Sequence, residues 1–450
     1  MSSGHSIVKA DLEARSPWSC NNVRSEVIIS PSATAIDGTL TAPGSKSMTN
    51  RALLIAALAE GTSRIAGLLR SDDAYWCIES LRRLGIRIDV NDDEATVYGA
   101  AGNWPVQESE LYVGAAGTVA RFLPPLLAAG EGRWKLTGSR RMNERPLKPL
   151  LDRLVGQGAD IAYEGEAGYL PFTLHGQRLQ GGEVTIPGTV SSQFASGLLL
   201  AAPYARQQLT LRLEGETVQR DYIAMTLQMM GKFGIAADIS ADGQSFTVPS
   251  GIYQAQSLRL EPDISTCCYF WALAALANGR IRVEGVNPAT LQPDLELLNV
   301  LEQMGCIVTR GTDWVEVQGT AQLKGGFTVD MQRWSDQTLT LAVLAVYADG
   351  PITMRGAAHI RHHECDRLAA IAAELRKLGI EAVEYEDGLT VNPGQPQPAL
   401  LDPHDDHRMA MALSLLGVKT SGIRVANPGC VSKTCPDYYE RLAALGIAVT

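Results

Sequence analysis

LRRLGIRI (81–88) closes an amphipathic stretch on a glycine and runs straight into a β-like segment, and the same phrase returns five more times. The later copies are LDRLVGQGADI (151–161), LQMMGKFGIAA (227–237), LNVLEQMGCIV (298–308), LRKLGIEAV (375–383) and YERLAALGIAV (439–449). The pivotal glycines Gly85, Gly158, Gly234, Gly305, Gly379 and Gly446 are separated by 73, 76, 71, 74 and 67 residues. A helix commonly ends on a residue at positive φ, which glycine adopts without steric cost. The phrase therefore predicts six helix-to-strand turns at a period near 70.

Upstream of each glycine lies a second recurring phrase, a small-residue helix, a turn and a strand. Its copies include ALLIAALAEGTSRIAGL, FLPPLLAAGEGRWKLTG and YFWALAALANGRIRVEG. These helices are apolar around most of their circumference, which predicts burial on nearly all sides. Each unit reads β-α-β-α-β-β, an α/β class with outer sheets around inner helices. Six units group as three plus three, with the division near 257–263. Length alone, 450 residues, would have suggested about three domains.

The balance of 39 Lys plus Arg against 49 Asp plus Glu gives a net charge of −10 and argues against a general nucleic-acid binder. It leaves room for small anions, because a local cation cluster acts against the global sign. The longest apolar run, Cys267 to Ala277, is about half of what a membrane span needs. The N-terminus lacks the apolar segment of a secretory signal. Eight cysteines without a C-x-x-C pair suggest neither a disulfide framework nor a zinc knuckle. A cytoplasmic protein without membrane or nucleic-acid partners is expected.

Unusual polar chemistry gathers where chains enter the helices. Pro43-Gly44-Ser45-Lys46-Ser47-Met48-Thr49-Asn50-Arg51 offers backbone N–H groups beside Lys46, Ser47 and Arg51, a set suited to phosphate. It is not a Walker loop. Other entrances carry Gly117 to Arg121, Arg141 to Arg145, Ser191-Ser192-Gln193, Ser335-Asp336, His359 to Arg367, Asp406-His407-Arg408 and Ser432-Lys433. Ser, Asp and Thr there also serve as plain N-caps. Arg and Lys are harder to explain that way, since the helix dipole disfavours cations at its N-terminus. If the inner-helix N-termini converge, a cleft between the two lobes would bind anions. Asp336 and Glu364 stand among these cations as candidate proton-transfer groups. Five of the seven histidines fall in 359–363 and 404–407. Arg361, Arg367 and Arg408 interleave with them and would repel a dication, so no metal is expected.

PGSKSMTNRALL, GAAGTVARF, RMNERPLKPL, SSQFASGLLL, EPDIST, HECDRLAAI, DHRMAMALSL and SKTCPDYY occur in order. With the Asp336 region they make the chain, from about Gly38 onward, resemble the 5-enolpyruvylshikimate-3-phosphate synthase family of enolpyruvyl transferases. The resemblance implies two similar lobes, each of three β-α-β-α-β-β units, an inside-out α/β barrel. The lobes would span 46–262 and 26–45 plus 263–450, with hinges near 45 and 262 and residues 1–25 as a disordered extension. It implies transfer of the enolpyruvyl group of phosphoenolpyruvate to the 5-hydroxyl of shikimate-3-phosphate, in the shikimate pathway of aromatic amino-acid biosynthesis. The reaction would run by addition and elimination in a monomer without cofactor, and the enzyme would be a glyphosate target.

Carried over by motif, Lys46, Ser47, Arg51, Ser191, Ser192, Gln193, Gln219, Tyr222, Asp336, His359 and His363 would hold shikimate-3-phosphate. Lys46, Gly117, Arg145, Gln193, Arg367, Arg408 and Lys433 would hold phosphoenolpyruvate, with Arg121 and His407 as further candidates. Asp336, Glu364 and Lys46 would form the catalytic set. The chain departs from the common family pattern at Ala115, Phe122, Gln219, His359 and His363, which reads as branch variation. The departures keep open a relative with another shikimate-like acceptor, or a non-catalytic homologue that binds phosphorylated ligands. The sister transferase acting on UDP-N-acetylglucosamine is disfavoured, because no cysteine lies between Cys77 and Cys267 to supply its loop nucleophile.

Overall fold

The computed structural model describes residues 7–32, 35–189 and 191–450. The chain forms two compact units. Of the described residues, 13–17 and 44–261 make up one, and 7–12, 18–43 and 262–450 the other. Mixed α/β architecture repeats in both, as six four-stranded sheets among the described residues.

In the unit built on 44–261, Glu108–Tyr112 pairs parallel with Glu131–Thr137, which pairs antiparallel with Phe172–Gln177 and so reaches Asp160–Tyr163. Gly182–Pro187, Leu209–Glu214, Ser245–Val248 and Asp238–Ile239 repeat that order. In the remaining sheet the parallel partner of Thr62–Ala66 is Ser257–Arg259, drawn from the far end of the unit. The helices Lys46–Leu58, Gly117–Ala128 and Ser192–Ala201 lie inside, buried on nearly every residue. Their small and aliphatic side chains let helix pack on helix, where apolar burial contributes about 25 cal/mol per Å². Gly117–Ala128 even carries Pro124 and Pro125 in its interior. The outer helix Asp72–Arg83 keeps polar residues on one face and ends before Gly85.

The second unit follows the same plan. Asp37–Thr41 pairs parallel with Arg280–Glu284, and Phe327–Asp330 with Ile352–Arg355. In the third sheet, Glu26–Ser30 sits between Ile423–Ala426 and Ala448–Val449, so an N-terminal strand completes the last repeat. The inner helices are Ile264–Ala277, Thr338–Val346 and His407–Ser414. The apolar run 267–277 is thus the central helix of a core, with Trp271 fully buried.

All six pivotal glycines have φ between +78° and +100°, as their position at the helix ends requires. Residues 7–25, read from the sequence as a disordered extension, instead make specific hydrogen bonds. Val8 and Asp11 donate backbone N–H groups to Asp402 and Asp405 at 2.7 and 3.0 Å. Ser16 donates its N–H and its hydroxyl to Asp72 at 3.0 and 2.6 Å. Trp76 donates to the Ala14 carbonyl at 2.8 Å, and Cys20 N–H to Ser432 Oγ at 2.9 Å. Polar composition hid this, because the segment is held by acceptors distant in sequence rather than by apolar periodicity. Residues 1–6 of that extension lie outside the described residues.

Candidate active site

In the 44–261 unit, candidate residues stand at the N-termini of the three inner helices. Ser45 caps Lys46–Leu58, its hydroxyl accepting from Met48 N–H at 3.4 Å. The half-buried Lys46 ammonium lies 3.8 Å from Asp73 Oδ2. Arg51 is 1% exposed and faces protein acceptors. Its guanidinium donates to Thr226 Oγ1 at 2.8 Å, the Ser47 carbonyl at 2.9 Å and the Tyr222 carbonyl at 3.1 Å, and lies over the Phe122 ring. Burial lowers its pKa to about 10, still charged at neutral pH. Arg51 therefore ties the first turn of Lys46–Leu58, which bears Ser47, to the helix Asp221–Lys232, which begins beside Tyr222.

Gly117–Ala128 has no side-chain cap, so its first N–H groups remain available to an anion. Arg121 donates to the Gly117 carbonyl at 3.1 Å and to Gln193 Oε1 at 3.2 Å. A β-carbon at Gly117 would stand 2.8 Å from Arg121 Nη1 and 2.9 Å from Arg145 Nη1, so both cations close on this glycine. Ser191 is an N-cap, its hydroxyl accepting from Gln193 N–H at 3.2 Å. Ser192 Oγ is buried and has no hydrogen-bond partner among the described residues. Gln219 adopts φ +50°, an uncommon conformation for a residue with a side chain.

In the other unit, Arg367 is the hub. Fully buried, it donates to Asp336 at 2.8 Å, Glu364 at 2.9 Å and Asp406 at 2.7 Å. Burial opposes its charge, but Asp406, Glu364 and Asp336 outweigh that and hold the guanidinium above its ordinary pKa. Arg408 lies 2.9 Å from Asp336 Oδ2, and Lys433 Nζ lies 2.6 Å from Glu364 Oε1. Three cations thus face three carboxylates, so the cluster is close to neutral before any ligand arrives. Asp336 and Glu364 are each 13% exposed at the side chain, open enough to meet a substrate.

His363 Nδ1 accepts from Arg367 at 3.0 Å, which requires the neutral ring with its proton on Nε2. His359 Nε2 lies 2.7 Å from Ser335 Oγ, beside Asp336 in sequence. Burial pushes the His359 pKa down to about 4, with Arg367 acting in the same direction and Asp336 against it. His407 is buried, its Nδ1 3.5 Å from Asp406. Among the described residues no group of three or more His, Cys, Asp or Glu side chains is placed to hold a metal ion.

Sequence reasoning missed two members of these networks. Asp73, the partner of Lys46, belongs to an S-D-D start that looks like ordinary helix capping. Asp294, which accepts from Gln337 next to Asp336, lies in a short Q-P-D turn without any motif around it. Both signals are an acid at a turn, which is too common to single out.

Residues 31–442 match the family model of EPSP synthase (3-phosphoshikimate 1-carboxyvinyltransferase). The chain is 48% identical over 446 residues to the 3-phosphoshikimate 1-carboxyvinyltransferase 2 of Halalkalibacterium halodurans, covering 98% of this chain and 99% of that protein. It is 42% identical over 408 residues to the 3-phosphoshikimate 1-carboxyvinyltransferase of Trichormus variabilis, covering 90% and 96%. Among solved structures, EPSP synthase from Acinetobacter baumannii aligns with a TM-score of 0.79 at 27% identity, covering 94% of this chain and 99% of that one. The enolpyruvyl transferase NikO from Streptomyces tendae, at 19% identity and a TM-score of 0.73, shares the fold over 95% of this chain and 99% of that one. With identity near one half sustained along both chains, and the family pattern spanning both units, this protein belongs to the EPSP synthase (3-phosphoshikimate 1-carboxyvinyltransferase) family.

Proposed function

We propose that this chain transfers the enolpyruvyl group of phosphoenolpyruvate to the 5-hydroxyl of shikimate-3-phosphate and releases phosphate. The observation that carries this reading is the chain of contacts Asp336–Arg367–Glu364–Lys433, two carboxylates for proton transfer held by two anion-binding cations. Lys46, Ser47, Ser191, Ser192, Gln193, Gln219, Tyr222, His359 and His363 take shikimate-3-phosphate, with Arg51 fixing the helix turn that bears Ser47. The unpartnered Ser192 hydroxyl supports a phosphate there. Arg145, Arg367, Arg408 and Lys433 take phosphoenolpyruvate, with Gly117 and Gln193 at its edge and Arg121 contributing to the field.

Asp336 accepts the proton of the attacking hydroxyl as its oxygen bonds to C2 of phosphoenolpyruvate, while C3 gains a proton from Glu364. A carboxylate paired with two cations holds no proton to give, so Glu364 must first take one up from solvent. Phosphoenolpyruvate, by drawing Arg367 and Lys433 to its own negative charges, frees Glu364 to take up that proton and deliver it to C3. The Glu364 carboxylate then takes back a C3 proton as the C2–O bond to phosphate breaks, phosphate leaves with the proton held by Asp336, and the double bond of the new enol ether forms. Positioning and electrostatic stabilisation carry the chemistry.

We further infer that the enzyme acts as a monomer in the cytoplasm, in aromatic amino-acid biosynthesis. All proposed ligands of both substrates lie on one chain, and all eight cysteines are free thiols. The unsubstituted Gly117 beside Arg145 supports reading the enzyme as a glyphosate target, while the altered Ala115 and Phe122 leave its degree of sensitivity open. The test is phosphate release from phosphoenolpyruvate with shikimate-3-phosphate or UDP-N-acetylglucosamine as acceptor. Release with the first alone is expected, and none with folded protein would overturn the proposal.

A further inference from the structure

We propose that Asp294 is a positioning residue for the proton acceptor Asp336: it anchors the turn that carries Asp336, and its negative charge favours proton uptake there. The inference rests on the reading of Asp336 given above.

Asp294 lies in the short turn Pro293–Glu296 and is 1% exposed. Its Oδ2 accepts from the Ser265 hydroxyl and from Gln337 Nε2, the latter at 2.8 Å. Gln337 follows Asp336 directly in the turn Ser335–Gln337. Its other amide atom, Oε1, accepts from Thr340 Oγ1 at 2.9 Å. The amide is therefore oriented at both ends, nitrogen toward Asp294 and oxygen toward Thr340, and the backbone leading into Asp336 is fixed by it.

A second route runs through side chains alone. Arg408 Nη2 donates to Ser265 Oγ at 3.4 Å and lies 2.9 Å from Asp336 Oδ2. Ser265 in turn donates to Asp294. The buried carboxylate thus orders the hydroxyl that receives Arg408, and Arg408 orders Asp336.

Asp294 Oδ1 is buried and has no hydrogen-bond partner among the described residues. A buried carboxylate oxygen without a donor is costly when charged and is the natural place for a proton. The groups facing Asp294 from neighbouring elements are Asp336 on its turn, Arg408 on His407–Ser414 and the Cys268 thiol on Ile264–Ala277. That thiol donates to the Asp294 carbonyl at 3.3 Å. Glu296 on its own turn is exposed. Burial and repulsion from Asp336 push the carboxyl up to about 6, against the opposing pull of Arg408, Ser265 and Gln337. Asp294 therefore changes charge just below neutral pH. Repulsion between the carboxylates is mutual, so protonating Asp336 during the reaction relieves it, and that relief exists only while Asp294 is ionised.

The experiment is the pH profile of kcat, by phosphate release with phosphoenolpyruvate and shikimate-3-phosphate from about pH 5 to about pH 9, for the full chain and two variants. The native protein should lose kcat on the acid side with a midpoint near the Asp294 value. Asp294→Asn should lower kcat roughly tenfold at neutral pH, leave KM for both substrates within about threefold, and abolish that acid limb. Gln337→Met removes a donor from an Asp294 that still ionises, so its acid limb should move to higher pH. One variant thus removes the limb and the other moves it up in pH, which a merely structural role would not do. An acid limb unchanged in both variants would overturn the proposal. If Asp294→Asn does not fold, the direction of the Gln337→Met shift decides. An Asp336→Asn variant measured alongside separates the two readings: full turnover there sinks the role of Asp336, whereas a dead Asp336→Asn with unshifted limbs sinks only that of Asp294.

Discussion

Arg367 donates to Asp336 at 2.8 Å from a fully buried guanidinium, which fixes the orientation of the carboxylate. The same arginine bonds Glu364 through its other terminal nitrogen at 2.9 Å. One cation therefore couples the proposed acceptor of the hydroxyl proton to the proposed donor at C3.

Asp336→Asn keeps the shape and the contact with Arg367 but cannot accept a proton. Turnover should fall by about 10³-fold or more, while binding of shikimate-3-phosphate, measured by calorimetry, changes less than about tenfold. Unchanged turnover would remove the assigned role.

Glu364→Gln separates proton delivery from charge pairing. The amide oxygen still accepts from Lys433 or Arg367, so the fold should persist while kcat drops roughly 10²- to 10⁴-fold. In heavy water, NMR of phosphoenolpyruvate C3 should show native exchange of methylene protons and little in the variant. Native-like exchange in Glu364→Gln would assign the proton to another group.

Gly117→Ala would press a methyl within 3 Å of the tips of Arg121 and Arg145. Both tips are ends of flexible side chains, so the protein should fold and the guanidinium groups give way. The expected result is a KM for phosphoenolpyruvate about tenfold higher with a smaller change in kcat. A KM unaffected by the methyl would show that Arg145 does not set this affinity.

His359 should make the protein acid-labile. Its folded-state pKa, lowered by burial from 6.5 to about 4, means the unfolded chain takes up a proton first as pH falls. Stability from this group is complete above the unfolded value and is lost between about pH 6.5 and pH 4, by on the order of 3 kcal/mol. Asp294 acts oppositely, since its raised pKa favours the folded state as pH falls through about 6. The difference between the native protein and His359→Asn isolates the histidine, and denaturant unfolding at several pH values should show the gap narrowing or reversing in acid. Parallel curves would contradict it.

Asp72 accepts two hydrogen bonds from Ser16 and lies 4.0 Å from Arg15. Asp72→Ala should free the N-terminal segment at a cost of about 1–3 kcal/mol, seen as faster proteolysis before residue 20. Native-like resistance would mean other contacts suffice.

The six glycine turns and the all-apolar helices were legible because both are local. A positive φ at Gly85 or Gly446 is dictated by the helix it ends, and the burial of 264–276 by its own composition. Two of the cations were legible too, since Lys46 and Arg367 stand out at helix starts where the dipole disfavours them, whereas Lys433, expected at a helix entrance, instead closes the short turn Pro428–Lys433. Only tertiary structure decided what each meets. The pairing of Ser257–Arg259 with Thr62–Ala66, and the closing of the last sheet by Glu26–Ser30, join segments 195 and about 400 residues apart. Nothing in a short period encodes such partners. Likewise Asp294 and Asp73 are ordinary turn acids in sequence. They gain their roles from burial and from the charges beside them, because electrostatic energy depends on distance and dielectric in space rather than on order along the chain.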